Sequence, residues 1–372
     1  MAKTKDEIRS EALSVIKPLK KAGIGVSMGV GKTRICLEHF KLVEKAIRNK
    51  YNRSPKALVV APKKVILEGW KTEAVKWKLE YLVEDMNFTT YRSLTKQDLD
   101  YDIIYLDECH SLLHSHESWL KEFKGVIIGA TGTPPKMQKS EKGKMVARYC
   151  PIVYEYLVDE AVSDNILNEY LITVHLLELD DTNTMLMEKG AKKWYTSETK
   201  TYNYWSNRVS QASTPKERQI TSVQRMKAMQ TFPSKDDYAK RLLTQSKDKC
   251  LLFTNTQKQA DDLCSHSYHS KNPDSEDNML DFKSGKITKM SCVLQLNEGA
   301  NIPNLKEGII MHAYGNNRKS AQRIGRLLRL NPDDTATIHI LCYKDTVDLK
   351  WVKSALEDLN QDKISWYDPD VF

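Results

Sequence analysis

Short apolar runs alternating with longer helical patterns restrict the fold of this sequence more than any other feature. Runs at 23–28, 57–61, 103–106 and 126–129 read as buried strands, and stretches of helical periodicity such as 34–48 lie between them. Strand, helix and strand in succession imply βαβ units, in which crossover helices cover both faces of a parallel sheet. The alternation resumes with runs at 250–254, 289–296, 308–313 and 337–341, after a strand at 172–179. The expected fold class is therefore α/β, with two tandem lobes (1–160 and 161–372) whose parallel sheets are flanked by helices. The first 22 residues suggest an amphipathic helix, with Ile8, Ala12, Leu13 and Ile16 at helical spacing. Residues 154–170 read as a connecting segment. Residues 181–246 are polar, rich in Thr, Lys, Ser and Gln, and show no convincing strand. They are expected to form a helical insertion in the second lobe.

The net charge is +8 and the pI about 8.9, a balance that points toward a polyanionic partner and fits a merely basic protein as well. Seven scattered cysteines form no CxxC pair, as expected of thiols in a reducing compartment. The charged start lacks an apolar segment of the secretory kind, and no apolar run approaches the ~18–20 residues that cross a bilayer. The expectation is a cytoplasmic monomer without membrane contact.

Chemistry concentrates at three places. Ser27-Met28-Gly29-Val30-Gly31-Lys32-Thr33 follows a strand and precedes a helix. Such a loop aims backbone N–H groups and the positive helix end at phosphate oxygens. Lys32 would reach the β and γ phosphates and the Thr33 hydroxyl would bind Mg²⁺. The strict pattern places Gly at position 26, where this chain has Val. The second place is Asp107-Glu108-Cys109-His110, after the run Ile103-Ile104-Tyr105-Leu106. Carboxylates at the end of a parallel strand sit where ligands bind, so Asp107 is expected to hold Mg²⁺ and Glu108 to orient or deprotonate water. The third is Gln322-Arg323-Ile324-Gly325-Arg326-Leu327-Leu328-Arg329, where helical spacing aligns Gln322, Arg326 and Arg329. Arginines of this kind stabilise charge on a transferring phosphoryl group.

In order along the chain, these segments resemble the motifs of superfamily 2 helicases and translocases of the DExH kind. Ser27 to Thr33 resembles motif I, Leu58-Val59-Val60-Ala61-Pro62-Lys63 motif Ia, Thr90-Tyr91 motif Ib, and Asp107 to His110 motif II. Ala130-Thr131-Gly132-Thr133-Pro134 resembles motif III and Leu252-Phe253-Thr254-Asn255 motif IV. Asn297-Glu298-Gly299-Ala300-Asn301-Ile302-Pro303 resembles motif V and Gln322 to Arg329 motif VI. The MGxGKT loop, the block around Trp70 and TGTP in place of SAT are similar to Snf-type and compact phage branch-migration helicases. The resemblance implies two RecA-like lobes and ATP-driven movement along DNA, with RNA as the alternative. It implies ATP contacts at Met28, Gly29, Val30, Gly31, Lys32, Thr33, Gly299, Arg326 and Arg329, and Mg²⁺ between Thr33 and Asp107. Catalytic roles fall to Lys32, Asp107, Glu108, His110, Gln322, Arg326 and Arg329. Strand contacts fall to Pro62, Lys63, Lys64, Tyr91, Asn255, Thr256, Gly299 and Asn301, and coupling to His110, Thr131 and Thr133.

Expected partners are single-stranded, forked or branched DNA and proteins of replication or recombination. The first Gln of the chain is Gln97, so the upstream glutamine with which DEAD-box relatives read adenine has no counterpart, and base selectivity stays open. Trp194, Tyr195, Tyr202, Tyr204 and Trp205 either stack bases or form the apolar side of a helical hairpin, the second reading being preferred. A motor subunit of a restriction nuclease would need a metal-binding carboxylate cluster in a further domain, and none is visible in the sequence.

Overall fold

A computed structural model of the chain describes residues 2–27, 29–135, 139–190, 192–293, 302–312, 334–357 and 359–369. The chain divides into two compact units after Asn168.

The first unit opens with α1 (Lys5–Ile16), capped by Thr4, whose hydroxyl and backbone bond reciprocally with Glu7. Its apolar stripe buries Ile8, Ala12 and Ile16 completely. The sheet strands are β1 (Lys21–Val26), β2 (Ala57–Ala61), β3 (Met86–Thr90), β4 (Ile103–Asp107), β5 (Val126–Thr131) and β6 (Ile152–Tyr156). They lie parallel in the order β3-β2-β4-β5-β1-β6. Helices α2 (Lys32–Tyr51), α3 (Lys64–Lys76), α4 (Glu117–Glu122), α5 (Glu141–Tyr149) and α6 (Val158–Ser163) complete the unit. Every side chain of β2 and β4 is buried, as a sheet covered on both faces requires.

The second unit carries β7 (Glu169–Leu177), a hairpin of β8 (Met185–Lys189) and β9 (Lys192–Thr196), and β10 (Cys250–Thr254). Then come β11 (Ser267–Tyr268), β12 (Lys289–Val293), β13 (Glu307–Ile310), β14 (Thr335–Tyr343) and β15 (Ile364–Tyr367). Seven of these strands form a parallel sheet ordered β11-β12-β10-β13-β14-β7-β15. Its helices are α7 (Glu198–Ser210), α8 (Pro215–Met229), α9 (Pro233–Gln245), α10 (Gln257–Leu263), α11 (Ser275–Ser284) and α12 (Val347–Leu356). Two parallel sheets flanked by helices are the tandem RecA-like architecture expected. Among the described residues no helix is long and apolar enough to cross a membrane.

Three expectations are corrected. The units part after Asn168 rather than at 160, because α6 and the turn behind it fold back on the first unit. Ile166 and Leu167 both donate to the Ala161 carbonyl, and Leu167 lies against the glycine loop at Gly29. The insertion is not all helical, since it begins with the antiparallel β8–β9 hairpin. It also ends earlier than 246: α9 covers the second sheet, with Ala239 and Leu243 in one core with Leu252, Ile309 and Leu341. Strands β3, β6 and β15 were not expected, and all three are edges or next to edges with polar or exposed positions. A strand paired on one side needs no continuous apolar run, so periodicity does not mark it.

Candidate nucleotide site and nucleic-acid surface

Strand register assembles the site. Gly25 of β1 pairs with Thr131 of β5, and Asp107 of β4 pairs with Ala130 of β5. The loops leaving β1, β4 and β5 therefore emerge side by side at the carboxyl edge of one parallel sheet, where ligands bind in open α/β folds.

The glycine loop is shaped by backbone demands that only glycine meets cheaply. Gly29 has φ +93° and Gly31, which caps α2, has φ +102°. No side chain caps α2, so its first N–H groups are left for an anion. Val30 is buried, while Lys32 and Thr33 are half-buried. Met28 lies outside the described residues.

Asp107 is buried at the end of β4. Its Oδ2 accepts from Trp70 Nε1 at 2.7 Å and its Oδ1 from the Glu108 N–H at 2.9 Å. Burial first, and the neighbouring Glu108 charge second, push its carboxyl up to about 6, against the Trp70 hydrogen bond and the Lys32 charge. That attraction places Lys32 within electrostatic reach of Asp107. The two orphaned hydroxyls nearby are Ser27 Oγ and Thr133 Oγ1, buried without a partner. Crowded carboxylates and unmet hydroxyls are what a site for Mg²⁺ and a triphosphate needs.

Glu108 sits in the left-handed region, φ +49°, a strain that turns its side chain toward β5. Thr131 Oγ1 lies 2.8 Å from His110 Nδ1 and 3.3 Å from Glu108 Oε2, and it accepts from the Thr133 N–H at 3.1 Å. The set is consistent with His110 Nδ1–H donating to Thr131 and the Thr131 hydroxyl donating to Glu108. His110, Thr131 and Thr133 are thus brought together with Glu108.

Sequence reasoning missed Arg9. It lies on α1 yet its side chain is only 6% exposed, with Nη1 3.4 Å from the Val30 carbonyl of the glycine loop. Nη2 pairs with Asp6, and Nε has no partner. Trp77 carries Arg34 at 3.7 Å from its ring centre and Arg9 at 5.9 Å. A charged residue at 9, one place after the buried Ile8, was the available signal.

The expected strand contacts divide. Pro62 is half-buried and Lys63 and Lys64 are exposed at the start of α3. Two cations at the positive end of a helix without a side-chain cap are unfavourable until an anion joins them. Tyr91 is a correction: it is 6% exposed and donates to the Asp107 carbonyl at 3.0 Å, so it supports the β4 end instead of facing a strand. Thr256 is exposed and caps α10, and Asn255 beside it has both amide atoms buried without a partner. Gly299, Asn301, Gln322, Arg326 and Arg329 lie outside the described residues.

The aromatic residues of the insertion also divide. Tyr202 packs inward, its hydroxyl accepting from Val347 N at 2.9 Å. Trp194 and Tyr195 are exposed on β9, a strand, which overturns the helical-hairpin reading for these two.

Comparisons with known proteins bear on the two units and their fold. Residues 3–136 match the family described as "Type III restriction enzyme, res subunit", and residues 234–331 match "Helicase conserved C-terminal domain". Among solved structures, a fragment assigned as the HsdR subunit of a type I restriction enzyme from Vibrio vulnificus YJ016 aligns with TM-score 0.61 and 16% identity, covering 98% of this chain and 68% of the other. The Hef helicase domain of Pyrococcus furiosus aligns with TM-score 0.51 and 15% identity, over 95% of this chain and all of the other. The ATP-dependent type ISP restriction-modification enzyme LlaBIII bound to DNA aligns with TM-score 0.60 and 15% identity, over 100% of this chain and 31% of that one. A search of curated protein sequences gave no match. The chain thus carries a match to one of these two domain families on each unit, and the pair supports a superfamily 2 helicase.

Proposed function

We propose that this chain is a DNA-stimulated ATPase of the DExH type that moves along DNA, in the manner of compact phage translocases serving replication, recombination or repair. The observation that carries the reading is the single sheet edge at which Gly29, Gly31, Lys32 and Thr33 meet Asp107, Glu108 and Thr131. Gly29, Val30 and Gly31 would bind the phosphates through backbone N–H groups, and Lys32 would bind the outer phosphates. Thr33 and Asp107 would hold Mg²⁺, which when bound draws charge from the phosphate oxygens. Glu108 Oε2, oriented by Thr131, would position the attacking water and take its proton. His110 and Thr133 would report the state of that carboxylate to β5. Arg326 and Arg329, by motif resemblance, would neutralise charge on the transferring phosphoryl group, with Gln322 of the same motif assisting.

Nucleic acid would be gripped through phosphates, by Lys63 and Lys64 at the α3 start and by Asn255 and Thr256 in the second unit, with Gly299 and Asn301 added by motif resemblance. Such contacts fix position without reading sequence, and they weaken steeply with salt. DNA is favoured over RNA by the DNA-bound LlaBIII neighbour. ATP turnover measured against single-stranded, duplex, forked and four-way DNA and against RNA tests this. Stimulation by DNA above RNA is expected; stimulation by RNA alone would turn the assignment to an RNA motor.

Arg9 supplies a separate prediction. Its guanidinium is donor-only, braces the Val30 carbonyl, and keeps one N–H unspent beside the loop. Arg9→Ala should raise the KM for ATP roughly tenfold, the scale of one charged hydrogen bond. Arg9→Lys should recover only part, because an ammonium lacks the planar fork. Steady-state ATP hydrolysis reads both.

A further inference from the structure

The β8–β9 hairpin belongs to neither parallel sheet. Its register pairs Leu186 with Tyr195 and Met187 with Trp194. Neighbouring residues on a strand face opposite sides, so each side shows one ring backed by one aliphatic chain. All four are exposed, Tyr195 to 67% and Trp194 to 44%. An isolated two-stranded ribbon is marginal in water even with one side buried, and this one leaves large apolar groups open on both sides. That arrangement suits planar ligands entering from either side better than a protein surface, which would cover one.

Charge points the same way. Lys192 is exposed at the start of β9, next to the two rings, where a cation favours an anionic ligand. Lys193 is matched by Glu188 at 2.7 Å, and Lys192 beside it is exposed. Residues 181–230 contain nine Lys and Arg against four Asp and Glu, a surplus of five within a chain of net charge +8. Rings on both faces and a basic tip match one polymer in particular: a single nucleic-acid strand, whose unpaired bases offer π-faces and whose phosphates supply the anions. A duplex hides its base faces, except at its ends.

We propose that the hairpin is a second nucleic-acid site, stacking unpaired bases on Trp194 and Tyr195 with Lys192 on the flanking phosphates. The inference rests on the motor reading, and the experiment separates the two. Full-length protein and the Trp194→Ala/Tyr195→Ala variant are titrated with an oligothymidylate strand, an abasic strand of the same length and a blunt duplex. ATP turnover is followed with and without the oligothymidylate, and sedimentation is run in parallel. Because both rings are exposed, the variant should melt where the parent does. Its affinity for oligothymidylate should fall at least about tenfold, with affinity for the abasic strand and basal turnover unchanged. The Trp194→Phe/Tyr195→Phe variant should keep the parent's affinity. Unchanged oligothymidylate affinity in the alanine variant, with the parent still stimulated, overturns the hairpin proposal alone. Loss of a self-association seen in the parent, without loss of affinity, overturns it in favour of a protein contact. A parent that neither binds the strand nor is stimulated by it overturns both readings.

Discussion

ATP turnover by the Lys32→Ala variant is expected to fall by at least ~10²–10³-fold, the scale on which removal of one preorganised electrostatic group from an active site acts. Lys32 opens α2 directly after Gly31, half-buried, and its charge is one of the influences that hold the Asp107 carboxyl down. Burial and the Glu108 charge push it up, and the Trp70 hydrogen bond works with Lys32 against them. Without Lys32 the metal-free Asp107 carboxyl stays protonated to higher pH, so Mg²⁺ binding, which needs the carboxylate, should show its acid limb displaced upward. The sign follows because an acid whose folded pKa is raised is favoured in its neutral form, and the lysine opposes that. Lys32 contributes no apolar core to the fold, so the melting temperature should change little. Unimpaired hydrolysis in this variant, measured as phosphate release under saturating ATP and Mg²⁺, would falsify the assignment of the glycine loop.

The largest effect on stability is expected at Lys235. Its ammonium is fully buried, 2.6 Å from Asp348 Oδ2 and 3.1 Å from the Leu341 carbonyl, and it lies 4.4 Å from the centre of the Tyr343 ring. His312 Nδ1, at 3.4 Å, belongs to the last described residue before 313–333, the stretch that holds the arginine run. Asp348 is 1% exposed and also accepts from the Tyr343 N–H. Lys235→Ala leaves that carboxylate charged and uncompensated inside the second unit, which costs about 3–5 kcal/mol. Lys235→Met combined with Asp348→Leu removes both charges and should restore most of the loss. Because a chain of two units need not unfold in one step, the measurement is hydrogen exchange in β14 and α12. Equal protection in Lys235→Ala and the parent would show that loss of the ammonium does not leave Asp348 at a cost.

Much of the fold was legible because buried parallel strands announce themselves. At 57–61 and 103–106 every side chain must be apolar, and the structure has both strands where the runs are. Edge strands were not legible: β3 reads Met-Asn-Phe-Thr-Thr, which solvent tolerates on one side. The hairpin was missed for a related reason, since its apolar residues are flanked by Lys and Glu and face no core. Correspondingly, the positions of the glycine loop and of the β4 end were readable in order, because each follows a buried strand run. Tyr91 was misread because its motif neighbours lie near the surface while its own hydroxyl turns in to Asp107.

By itself the sequence determined the α/β class, two lobes, and a glycine loop and a carboxylate pair at the ends of β1 and β4, because strand burial and glycine loops leave local, periodic marks. Tertiary structure alone decided that Thr131 bridges His110 and Glu108, that Arg9 braces the loop from a helix over twenty residues upstream, and that two aromatic rings stand exposed on a ribbon. Those facts depend on strand register and on helix packing across the chain. Neither quantity is a property of any local stretch of residues.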